Sequence, residues 1–213
     1  MFGRILKVLR PTKSSDPEAF AVFFDRQTSF VVRKTVEDYC RVKAGRSETK
    51  MFADPDFQAA LIHCRWQTYA ATAQDMAALA EAWLRPVASG QEAPLAAALT
   101  ALFGDMLRRA DAPEEERPTL RDAADALPYL LAAAQLAPPV SADRRALRAE
   151  QPLLATLPVH ADQRVGETLA IKGALRFHMV STQQEMERAF SPAPLCSALL
   201  HAEGTEGGLM GPA

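Results

Sequence analysis

Strand-forming patterns are missing from this chain of 213 residues: only 10 glycines, 7% aromatics, and no stretch that sustains the period-two alternation of a half-buried strand. Cysteine is scarce as well. Cys40, Cys64 and Cys196 show no C-x-x-C spacing and are odd in number, which argues against a disulfide framework or a compact zinc site and fits a reducing cytoplasm. No apolar run approaches the roughly 18 to 20 residues that a membrane-spanning helix requires. The motifs H-E-x-x-H, G-x-S-x-G, Walker A and the EF-hand loop are all absent. The glycines of GTEGGLMG follow no strand and open no helix, so they do not read as a phosphate cradle.

What is present is helix-forming. The chain holds 40 alanines at 48% hydrophobic and 23% charged residues, and its 15 prolines fall largely between periodic segments. The class expected is all-α, an irregular bundle of about six helices spanning residues 1–201, with a possible sub-boundary at residues 137–140 and a flexible tail at 202–213.

The clearest element runs from Asp54 to Arg85. Ile62, Trp66, Tyr69, Ala73, Met76, Ala80 and Trp83 recur in steps of three and four, the spacing of a packing seam. Asp54 and Pro55 supply an N-cap and a first-turn proline, and Arg85–Pro86 a basic last turn and a stop. Upstream, Asp16 caps a helix over 17–43, with Phe20, Phe24, Thr28, Val31, Val32, Val36 and Tyr39 along one side and Gly45 as its breaker. A third helix opens at Pro94. The pair Thr119 and Asp122 resembles a capping box for a fourth, which Pro128 should kink or divide. Ser141 is expected to cap a short helix that Pro152 interrupts, and a last long helix over 162–190 carries Ile171, Leu175, Met179, Thr182 and Met186 near one face.

Charge is unevenly placed. Residues 1–50 hold 11 Lys or Arg against 6 Asp or Glu, a net +5, whereas the remainder carries 13 against 20, a net −7. The first residues, MFGRILKVLRPTK, interleave Arg4, Lys7, Arg10 and Lys13 with Phe2, Ile5, Leu6, Val8 and Leu9, a basic amphipath too interrupted for a secretory signal. An arm tucked against the protein's own helices is the reading preferred, and contact with an anionic membrane surface is the alternative.

Candidate binding residues fall in three groups. Arg33, Lys34 and Arg41 belong to a basic run around the end of the first helix, suited to an anion or acidic partner, though a pI near 6.1 and the dearth of interleaved aromatics disfavour nucleic acid. Trp66 and Tyr69, with Trp83, concentrate the large amphipathic aromatics; core packing is the plainer role, a partner-facing patch the other. His178 lies beside the apolar face of the last helix. Adjacent helical positions diverge by about 100°, so His63 and Cys64 cannot act on one atom without a partner from another helix. No catalytic residue, metal ligand or cofactor is assigned, and no oligomeric state follows from the pattern.

The stretches FVVRKTVEDYCRVKAG, HCRWQTYA and RFHMV resemble segments of an uncharacterised alphaproteobacterial helical protein family of no known function. That resemblance implies no activity and assigns no residue a role. The function expected is a cytoplasmic helical binding or adaptor protein acting through protein–protein contacts. The rivals are an enzyme whose pocket brings together His178, His63 and a cysteine, and a peripheral membrane assembly factor.

Overall fold

A computed structural model describes residues 12–206, with side chains to residue 202. Phe2 to Arg10 of the basic arm and residues 207–213 of the expected tail lie outside the described residues. The architecture is all-α. In chain order the helices are α1 (Pro17–Val32), a π-helical turn (Arg33–Glu37), α2 (Asp38–Ala44), α3 (Glu48–Phe52), α4 (Pro55–Ala88), α5 (Glu92–Arg109), α6 (Arg117–Ala134), α7 (Glu150–Thr156), α8 (Thr168–Ala189) and α9 (Pro192–Glu206). No strand occurs among the described residues; one isolated bridge joins Ser14 to Phe190.

The capping signals at the starts of α1 and α4 act as their chemistry demands. Asp16 accepts the N–H groups of Glu18 and Ala19 at 3.2 and 3.1 Å, and Asp54 accepts that of Phe57 at 3.0 Å, satisfying donors that the first turn leaves free. The helix expected over 17–43 is one rod whose middle widens into the π turn, and it ends at Gly45, whose φ of 49° is open to glycine without a Cβ penalty.

The 34-residue α4 is the axis of the bundle and packs against α1, α5, α6, α7 and α9. The seven seam positions divide. Tyr69, Ala73, Met76 and Ala80 are buried, Trp66 and Trp83 are half-buried, and Ile62 is exposed. With neighbours on five sides, the middle of α4 is buried around its circumference, so a single stripe describes only part of it.

Several prolines depart from expectation. Pro86 does not stop α4, which continues to Ala88 and ends at Ser89 in the left-handed region. Pro128 neither divides α6 nor ends it; the ring removes one backbone bond, while Leu127, Leu130 and Leu131 are packed into the core on both sides of it. Pro152 sits in the first turns of α7 and does not interrupt a helix begun at Ser141; residues 141–149 form turns instead. Thr119 is no cap, because α6 already starts at Arg117 and the Thr119 hydroxyl accepts from the Gln67 amide at 2.8 Å.

The last long helix begins at Thr168, later than expected, after a 3-10 turn and Gly166. All five of its named face residues, Ile171, Leu175, Met179, Thr182 and Met186, are buried. Helix α9 has no counterpart in the expectation and reaches Glu206, past the residue-202 boundary; Leu195, Cys196 and Leu199 are buried. A single hydrophobic cluster takes residues from before and after 137–140.

Two acids of α4 are buried beside it. Asp75, 2% exposed, accepts the N–H groups of Arg148 and Ala149 at 3.0 and 3.1 Å, capping the entry to α7. Glu81, fully buried, binds Arg85 at 2.8 Å, and Arg85 passes on to the carbonyls of Ala134 and Ala137 at the end of α6. Arg85 thus serves another helix's C-terminal carbonyls.

Candidate functional site

Helix α1 has two usable faces. Phe20, Phe23, Phe24, Gln27, Thr28 and Val31 turn inward, where Phe24 meets Phe103 of α5 at 5.1 Å. Pro17, Glu18, Ala21, Val22, Asp25 and Ser29 recur at the same helical spacing on the other side. That second face forms one wall of a groove of about 880 Å³, with Arg65, Trp66 and Tyr69 of α4 as its floor and Leu102, Asp105, Met106 and Arg109 of α5 opposite.

The floor is rigid. Tyr69 is buried, its hydroxyl donates to Asp25 Oδ1 at 2.9 Å, and its ring meets Trp66 edge to face at 5.3 Å. Burial, reinforced by the Asp25 charge, raises the Tyr69 pKa, so the phenol remains a proton donor to Asp25. Trp66 also borders a small extension of the groove toward Ser29 and Val32. Above this floor Val22 stands 63% exposed, a β-branched apolar side chain at a position where a solvent-facing helix normally carries a polar one.

The rim is acidic. Glu18, Asp25, Asp105 and Asp111 face Arg65 and Arg109, and both guanidiniums are already engaged, Arg65 with Glu37 at 3.1 Å and Arg109 with Asp105 at 3.3 Å. Among the described residues neither Glu18 nor Asp111 has an ion-pair partner. With Arg65 and Arg109 both paired, the acids left over make the groove a place that attracts cations and resists anions.

The six candidate binding residues therefore fall in three places. Trp66 and Tyr69 share the groove. Arg33 and Lys34 lie 5.9 Å from the Phe30 ring centroid, and His178 meets the same ring edge-on at 5.6 Å, so these three converge on a different surface between the π turn and α8. Burial and the Lys34 charge lower the His178 pKa, which favours the neutral imidazole. Lys34 is held by Asp38 at 2.8 Å. Arg41 sits apart, paired with Glu48 at 2.7 Å and stacked 5.0 Å above Phe52.

His63, His160 and His178 each have a different partner, whereas Cys40 and Cys64 lie close enough to influence each other's ionisation. His63 binds Glu116 at 2.7 Å, His178 packs between Phe30 and Phe177, and His160 faces Asp162. All three thiols are buried, and burial pushes Cys40 up to about 12 and raises Cys64 and Cys196 as well, which suppresses thiolate chemistry. No group of three or more His, Cys, Asp or Glu suited to a metal ion occurs among the described residues. No helix of the described residues is long and apolar enough to cross a membrane.

The sequence reading named Trp66 and Tyr69 but missed Val22, Asp25 and the α5 wall. The available signal was the run Phe20–Ala21–Val22–Phe23–Phe24: five consecutive apolar residues wrap around a helix and cannot all face one core. Compared with protein-family models, curated proteins and solved structures, the chain matches none.

Proposed function

We propose that this protein is a helical binding module that receives a basic, amphipathic segment of a partner protein in the α1–α4–α5 groove. The observation that carries this reading is that exposed Val22 and half-buried Trp66 line one groove together with Glu18, Asp25 and Asp111. Binding hot spots favour large aromatics in a partly desolvated centre surrounded by polar groups, and an amphipathic helix laid in a groove is anchored by apolar residues three and four apart. Trp66 and Tyr69 supply the aromatic centre, Val22, Leu102 and Met106 the apolar walls, and Glu18, Asp25 and Asp111 the charge that selects Lys or Arg on the incoming segment.

Isothermal titration tests this with a synthetic 13-residue peptide carrying Leu at helical spacing and Lys elsewhere, against a counterpart with Glu in place of Lys. The lysine peptide is expected to bind saturably and the glutamate peptide not at all. Val22→Arg, an exposed change that places a cation and a longer side chain in the groove, should weaken the lysine peptide about tenfold or more. Equal binding of both peptides, or indifference to Val22→Arg, would contradict the reading.

A further inference from the structure

The chain carries a segment of the chemistry this groove selects. Residues 1–13 contain Arg4, Lys7, Arg10 and Lys13 and no acid, and Phe2, Ile5, Leu6 and Leu9 follow the i, i+3, i+4, i+7 spacing of an apolar helical stripe. The groove offers the complement, aromatic and aliphatic side chains with Glu18 and Asp111 outside any ion pair among the described residues, beside Asp25, which accepts from Tyr69, and Asp105, which is paired with Arg108 and Arg109.

The attachment point is favourable too. Ser14 donates to Ala189 O at 2.8 Å and accepts from Ser191 N–H at 2.9 Å, and Lys13 donates to Glu187 O at 2.6 Å, so the chain is fixed at the α8–α9 corner just before α1. Pro17 and Glu18, the groove's end on α1, follow within a few residues. The α1 wall from Pro17 to Ser29 is about 18 Å long at 1.5 Å per residue. Residues 1–10 in the helical form that this stripe requires reach about 15 Å, most of that wall, and residues 11–13 extended add about 10 Å, one helix diameter.

We propose that residues 1–11 occupy the α1–α4–α5 groove in cis, so that the protein's own arm competes with the partner segment. The inference rests on the groove being a docking site for basic amphipathic segments. Tethering supplies an effective concentration in the millimolar range, so contacts too weak to hold a free peptide suffice for the arm. A partner then binds by displacing it, and its apparent affinity falls by the fraction of time the arm is docked. Phosphatidylserine membrane is the competing destination of the same arm, and it separates cleanly in the experiment.

A nitroxide attached through Val8→Cys in the full chain reads the arm's position, with the wild-type chain as labelling control because its three thiols are buried. The two indole N–H resonances report different places: Trp66 lines the groove, whereas Trp83 does not line it and stacks on the inward-facing Phe20 near the start of α1. The expected result is loss of the Trp66 signal with Trp83 retained, reversed when the nitroxide is reduced. In the same labelled chain carrying Arg4→Glu, Lys7→Glu and Arg10→Glu, the Trp66 signal should persist. That triple variant should also bind the lysine peptide more tightly than wild type. Retention of Trp66 in the labelled chain overturns the proposal, as does its loss in the charge-reversed chain, and so does transfer of the arm to phosphatidylserine vesicles with Trp66 unaffected. If Trp66 stays unbroadened while the lysine peptide still binds, the cis inference fails and the groove reading stands.

Discussion

The two halves of α4 do different work, and the inner half is the richer in alanine. From Thr68 to Leu84 every residue is buried except Ala71, Gln74 and Trp83, which are half-buried, and two acids are enclosed with their partners. From Pro55 to Gln67 only Leu61 and Cys64 are buried, while Ile62, His63 and Arg65 are exposed and Trp66 is half-buried. One helix therefore supplies both scaffold and site, and the difference comes from how many neighbours cover each turn. A groove built on such a helix inherits a rigid floor from the buried half.

The sharpest way to break this comparison is a truncation in each half. Met76→Ala, at a fully buried position, is expected to cost about 2 to 5 kcal/mol in chemical denaturation. Trp66→Ala should cost about 1 to 2 kcal/mol, because only part of the indole is withdrawn from water. Equal losses would mean that the two halves are equally structural.

The buried acids sharpen it further. Burial pushes the Asp75 pKa up to about 6, against about 3.9 in an unfolded chain, even though two backbone N–H groups and nearby arginines favour the carboxylate. A raised folded pKa means that this group's contribution is fully present below about pH 4 and is lost as pH rises through about 6. The difference between the folded and unfolded chain is worth about 2 to 3 kcal/mol. Asp75→Asn, which keeps an acceptor for Arg148 and Ala149, should remove that decline, so the pH 4 to 7 stability profile becomes flatter than that of wild type. Asp75→Ala orphans both N–H groups and should cost about 2 kcal/mol at pH 7.

The legible part of the fold was its local chemistry. Asp16 and Asp54 announce helix starts because a short acceptor before a first-turn proline has few other uses, and the Ile171–Met186 spacing fixes the inner face of α8. Prolines were misread because a break costs only one backbone bond when flanking leucines are held by the core, as at Pro128. Helix α9 escaped notice because Pro192 and Pro194 read as loop, although both lie in the first turn, where no intrahelical donor is needed. Trp66 and Tyr69 were found by residue type alone. Their grouping with Val22, Asp25 and Met106 depends on three helices meeting, and no spacing within one sequence encodes which exposed face adjoins which.

The smallest expected effect on stability belongs to Val22→Arg, within about 0.5 kcal/mol because the site is exposed, and the same change should carry the largest effect on binding. A stability loss comparable to that of Met76→Ala would place Val22 in the scaffold.

The division between site and scaffold is tested most directly by following both indole N–H resonances while the charge-reversed chain is titrated with the lysine peptide. The account predicts a saturable shift of Trp66 with Trp83 unmoved, with the midpoint moved to about tenfold or more higher peptide concentration once Val22→Arg is added. Movement of Trp83 alone, or of both indoles to the same extent with and without Val22→Arg, would contradict it.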